Sequence, residues 1–149
     1  MIDARSVRSH LWKFVHNISY LETDIARIDK TSVKCRLCQE VNVKREHLLV
    51  TCNRLNGVGE AMMKSLSIFN PRHTESDVMM IDLEPEFPQV DWFVGNALFF
   101  IQKNRDNCPR DKIVSYLKST YEVFSRSRYC DEDMRLSTRI LIETFENFM

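Results

Sequence analysis

Between Cys35 and Cys52 the chain reads CRLCQEVNVKREHLLVTC, three cysteines and one histidine in the spacing C-x2-C-x8-H-x4-C. No other feature restricts the fold as much. Two cysteines separated by two residues form a knuckle whose sulfurs can grip one ion, and His47 and Cys52 offer a second pair from a following helical segment. Cys35, Cys38, His47 and Cys52 are therefore the expected ligands of a tetrahedral Zn2+. Four protein ligands leave no position for water, so the ion is expected to be structural and not catalytic. Three thiolates and a neutral imidazole around a dication carry about one net negative charge. Lys34, Arg36, Lys44 and Arg45 stand in sequence where they could offset it. The competing reading is four small buried residues without a metal, because free cysteine packs like a small hydrophobe. Cys108 and Cys130 have no partner spacing and are expected to be ordinary thiols.

A chain of 149 residues with three Gly and four Pro favours long helices over strands and turns. From Asp3 to Ile18, Val7, Leu11, Phe14, Val15 and Ile18 recur at helical spacing, with Asp3 as N-cap. A short helix can follow within 19–30. Another is expected to begin near Glu46 and a further one to run from Gly57 to Ile68, broken from it at Asn56 and Gly57. The span from Asn70 to Gln89 holds three of the four prolines and reads as a connector, with a short strand or turn at VMMI. Three helices complete the chain. VDWFVGNALFFIQKNR is apolar on most sides and should be buried. Pro109 suits the first turn of the next, with Ile113, Leu117, Tyr121 and Phe124 in periodic array. Asp131, Glu132 and Asp133 open the last, with Met134, Leu141, Phe145 and Phe148 facing inward.

The expected architecture is a mostly α, small helical domain with a Cys3His zinc knuckle. Residues 1–73 would hold the N-terminal helix and zinc module, 74–89 an acidic connector and 90–149 a three-helix unit. The metal's role would be to fix the loop between helices so that Leu48 and Leu49 turn into the core. The opening MIDARSVRSHLWKFVHN lacks the apolar run of a signal peptide or membrane span. The expected setting is intracellular, where cysteines stay reduced and available to metal.

The formal charge is zero but unevenly spread, with twelve Lys and Arg against seven Asp and Glu through His73. From Glu75 to Asp91 six acids occur without a base, a stretch that would repel a phosphate backbone. On the first helix, Arg5, Arg8, Trp12 and His16 fall together opposite the apolar stripe. With Lys34, Arg36, Lys44 and Arg45 they form the candidate nucleic-acid surface, arginines for phosphates and an indole to stack on an unpaired base. The alternative for that face is a solvated helix with Trp12 packed against a neighbour. A second group, Lys103, Arg105, Lys112, Lys118 and Arg126, is interrupted by acids and reads as a charged exterior. A protein-interaction adaptor would instead use Phe87 and the methionine pairs Met62, Met63, Met79 and Met80, for which core filling is the simpler reading. His10, His16 and His73 have no local nucleophile or acid in a recognisable motif, and no Gly-rich phosphate loop occurs. Catalysis is not expected.

The pattern C-x2-C-x8-HLL-x2-C, with Glu46 before His47, resembles the zinc-binding segment in the C-terminal tail of reverse transcriptases from non-LTR, LINE-type retrotransposons. LWKFVHNISYLETDIARI resembles that family's Trp-containing helix upstream, and GNALFFIQKNRDN its apolar helix ending in an Arg/Asn pair. The polymerase's paired aspartates and an endonuclease domain have no counterpart here, so the likeness is to a tail standing alone. The resemblance implies a zinc-binding tail that grips RNA or DNA. A derived adaptor that binds a protein partner is the alternative, and no membrane role is expected.

Overall fold

The computed structural model describes residues 21, 25–26, 30, 32–67, 88–105, 109–128 and 130–149. The expected first helix, with Arg5, Arg8, Trp12 and His16, and nearly all of the acidic connector, with VMMI and Phe87, lie outside the described residues. The described chain is mostly helical, as expected. Its one strand-like feature is an isolated antiparallel bridge between Lys34 and Val41.

The helix expected near Glu46 is a single wide turn, His47–Thr51, followed by a 3-10 turn, Asn53–Leu55. Asn56 and Gly57 then take left-handed φ values of 57° and 73°, which makes the expected break. Four helices follow: α1 (Val58–Leu66), α2 (Pro88–Lys103), α3 (Arg110–Ser125) and α4 (Glu132–Phe148). At the start of α1, a Cβ on Gly59 would stand 2.3 Å from the carbonyl oxygen and 2.4 Å from the Cα of Val50. Only glycine lets α1 lie directly on the backbone of the wide turn.

Helix α2 is the buried one, as its composition predicts: Val90, Phe93, Val94, Ala97, Leu98, Phe99, Phe100 and Ile101 are all buried. α3 packs on it through Ile113, Val114 and Leu117, and its Phe124 ring stacks on Trp92 at 5.2 Å. Asn96, near the middle of α2, donates to Trp92 O and accepts from Tyr116 Oη at 2.9 Å, which satisfies the polar groups between the helices. Pro109 sits one residue before α3, in extended conformation, and not within its first turn. Asp131 caps α4 by accepting from the Met134 N–H at 2.9 Å. Leu141, Ile142 and Phe145 then face inward, with Phe145 edge-on to Phe93 at 5.8 Å.

Phe148 departs from the inward set and is 46% exposed. It is the last residue of α4, and there the Lys64 ammonium stands 5.4 Å over its ring. Arg105 departs in the other direction: expected on a charged exterior, it is 3% exposed. Met62 fills the core and Met63 is half-buried against it. The apolar side chains of the knuckle and of all four helices meet in one continuous core, to which Leu48 and Leu49 contribute as anticipated. Among the described residues no helix is long and apolar enough to cross a membrane.

Candidate metal centre

The first pair of candidate ligands is set by a tight knuckle. Cys35 N–H donates to Glu40 O at 2.8 Å, Gln39 N–H to Cys35 O at 2.9 Å, and Asn42 N–H to Val33 O at 2.8 Å. Reversing the chain so sharply puts Gln39 and Asn42 at left-handed φ values of 68° and 57°. The Gln39 side chain steadies the turn by donating to Arg36 O at 2.9 Å.

The second pair depends on the wide turn. Residues five apart on an ordinary α-helix, at about 100° each, lie about 140° apart around the axis. An imidazole and a thiol so placed would not share an ion. Here Cys52 N–H donates to His47 O, five residues back, at 2.9 Å, and the widened turn returns Cys52 to the same side as His47. The three residues between them that face the other way, Leu48, Leu49 and Val50, enter the core.

One ligand atom from each of Cys35, Cys38, His47 and Cys52 lies within 4.8 Å of the other three, as in a metal site. The Cys35 and Cys52 sulfurs are 3.8 Å apart, and Cys38 Sγ is 3.2 Å from His47 Nε2. Nε2 is thus the nitrogen offered to an ion. The other ring nitrogen, Nδ1, faces Glu40 Oε2 at 3.5 Å. That carboxylate is placed to receive an Nδ1–H directed at it, which would favour the tautomer with Nε2 free for an ion and orient the ring. Among the described residues these four form the one group of this kind.

The thiols are tuned apart. Burial by itself would raise the Cys35 thiol, but the backbone N–H groups of Cys38 and Leu37 and the neighbouring thiols stabilise its anion, and it falls below its ordinary value. For Cys52, burial outweighs the Arg54 N–H, and competition with Cys35 adds to it, so the thiol is pushed up to about 11. Within the pair Cys35 gives up its proton more readily than Cys52, and a dication must expel the Cys52 proton to gain that ligand.

Of the basic residues expected around the site, Lys34, Arg36 and Lys44 are exposed and Arg45 is half-buried. The cation that enters the site's interior is another. Arg105, just beyond α2, places Nη2 3.9 Å from Cys35 Sγ. Glu40 and Arg105 are the two site residues that sequence reasoning does not pick out. A charge argument offers a signal for the second, since a buried trithiolate centre calls for a buried cation from elsewhere in the chain. Cys130 is buried, its thiol raised by desolvation. Cys108, His10 and His73 lie outside the described residues. Comparison of the chain with family models, with curated proteins and with solved structures finds no match.

Proposed function

We propose that the chain is a non-catalytic nucleic-acid-binding module held together by a structural Zn2+ at Cys35, Cys38, His47 and Cys52. Three thiolates and an imidazole are soft and borderline donors that suit zinc, and hard cations such as Mg2+ or Ca2+ would not choose them. A tetrahedral ion with Zn–S bonds of about 2.3 Å has S···S edges of about 3.8 Å. The Cys35–Cys52 separation of 3.8 Å agrees with that edge. With four protein ligands the ion has no vacancy for a reacting water.

The observation that carries the nucleic-acid reading is the exposure of Lys34, Arg36 and Lys44 on the same short knuckle that the ligands fix. From residue 30 to residue 57 there are six Lys and Arg against two Glu. A rigid, metal-fixed turn that presents cations at set positions loses little conformational entropy when it meets a phosphate backbone. The likeness of the ligand pattern to LINE-type reverse transcriptase tails points the same way.

The test is binding of the zinc-loaded chain to single-stranded RNA, single-stranded DNA and duplex across a salt series. Measurable affinity should fall with salt, and K34E/R36E/K44E should weaken it and reduce the salt slope by about one for each phosphate that is no longer neutralised. Absence of binding to all three probes would overturn the reading.

A further inference from the structure

A closed trithiolate centre poses an electrostatic difficulty that its exposed neighbours do not solve. With a dication bound, the cluster keeps about one negative charge. Cys35 is 0% exposed, so part of that charge sits where water cannot reach it. Lys34, Arg36 and Lys44 are exposed, and charges in solvent are screened and attenuated.

The C-terminal end of α2 supplies the missing charge. Asn104 N–H donates to the carbonyls of Phe100 and Ile101, and its side chain to Phe100 O at 2.9 Å, which closes the helix. The chain then turns so that Arg105 points inward. Its guanidinium is a permanent cation, and it reaches Cys35 across 70 positions of sequence with Nη2 3.9 Å from the sulfur.

We propose that Arg105 is the outer-shell counter-ion of the metal centre: it neutralises the cluster's residual charge at Cys35, restrains that metal-bound thiolate as a nucleophile and links metal retention to the seating of α2. The proposal rests on the zinc assignment above and not on the nucleic-acid reading. A metal-bound thiolate reacts through a sulfur lone pair, and a guanidinium directed at the sulfur withdraws that electron density. Removing it leaves the buried charge uncompensated, which weakens metal binding and frees the sulfur.

The experiment compares wild type with Arg105→Met and Arg105→Lys, each purified with zinc. Metal affinity is read by competition with a chromophoric chelator, and the sulfur by iodoacetamide, with each cysteine followed by peptide mass. In that reaction the Cys35 thiolate forms the S–C bond and iodide leaves. Arg105→Met should lower zinc affinity by about 10–100-fold, the usual range for outer-shell partners, and accelerate alkylation selectively at Cys35. Arg105→Lys should restore part of both, since it keeps the charge and loses the planar geometry. If Met at this position prevents folding, Lys alone still gives the selective change at Cys35.

Cys38, half-buried, is the internal control. Equal acceleration at Cys35, Cys38 and Cys52 would mean general loosening and would overturn the proposal, as would unchanged affinity with unchanged Cys35 reactivity. A wild-type chain that takes up no metal would remove the zinc assignment itself, an outcome distinct from metal binding that ignores Arg105.

Discussion

The knuckle from residue 32 to 57 and the helical segments from residue 88 to 149 solve the problem of conformational entropy in opposite ways. The helices carry repeated backbone hydrogen bonds and bury a phenylalanine pair, Phe93 on Phe145, at their centre. The knuckle has single linking bonds, such as Cys35 to Glu40, and one isolated bridge. Left-handed backbone is likewise unequal: Gln39, Asn42, Asn56 and Gly57 of the knuckle have positive φ, and among the described residues of the helical segments there is none. Each such L-residue costs about 1–2 kcal/mol, which the burial of Val43, Leu48, Leu49, Val50 and Leu55 in the shared core must help to offset. The difference teaches that the helices rest on regular hydrogen bonding and packing, while the knuckle joins core burial to an irregular backbone that an ion at Cys35, Cys38, His47 and Cys52 would help to fix.

Metal removal should break the comparison most severely. Apparent binding free energies of structural zinc are about 10–16 kcal/mol and act as folding energy. A strong chelator is expected to abolish amide-exchange protection at Cys35, Gln39, Asn42 and Cys52, with a smaller loss in α2 to α4. Because the metal-free Cys52 thiol stays protonated up to about 11, uptake at neutral pH releases its proton. Affinity should therefore rise with pH, by about tenfold per unit for each proton expelled. Equal protection with and without metal would mean that the knuckle stands on packing alone.

Phe145→Ala attacks the other side. Both rings of the Phe93–Phe145 pair are fully buried, and deletion of such a ring costs about 3–5 kcal/mol, transfer and cavity together. The melting temperature should fall sharply while the zinc stoichiometry stays the same, as read by metal analysis of the folded fraction. Loss of metal in proportion to loss of stability would show that the two regions are one cooperative unit, joined through their shared core and the contact of Arg105 with Cys35.

The same contrast explains what is legible in the sequence. Apolar periodicity reports an element that buries one face, so α2, α3 and α4 can be read from it, and the four clustered ligand residues can be read from their spacing. Periodicity does not report where a neighbour ends, which is why it places Phe148 inside. The wide turn is not legible as such, although an imidazole and a thiol five residues apart cannot share an ion on a regular α-helix. Arg105 reads as exterior because local charge patterning ranks an arginine among its sequence neighbours. Its partner, Cys35, is 70 positions away.

The smallest effect sharpens the comparison by one backbone dihedral. Gln39 follows the second cysteine of the knuckle at φ 68°, where a Cβ is strained. Gln39→Gly relieves about 1–2 kcal/mol of that strain and gives back roughly 0.5–1 kcal/mol in chain entropy. It also removes the side-chain bond to Arg36 O, which lies on the surface and contributes little. The zinc-loaded variant should gain about 0.5 kcal/mol, the remainder of those two terms, as a small rise in the denaturant midpoint. The matched change on the helical side is Arg139→Gly, at an exposed interior position of α4, and it should lose nearly 1 kcal/mol. Opposite signs for the same residue type would show that the knuckle holds a conformation against its local preference while the helix follows its own. A loss at both positions would place the knuckle's order in the Gln39 side chain and not in the ion.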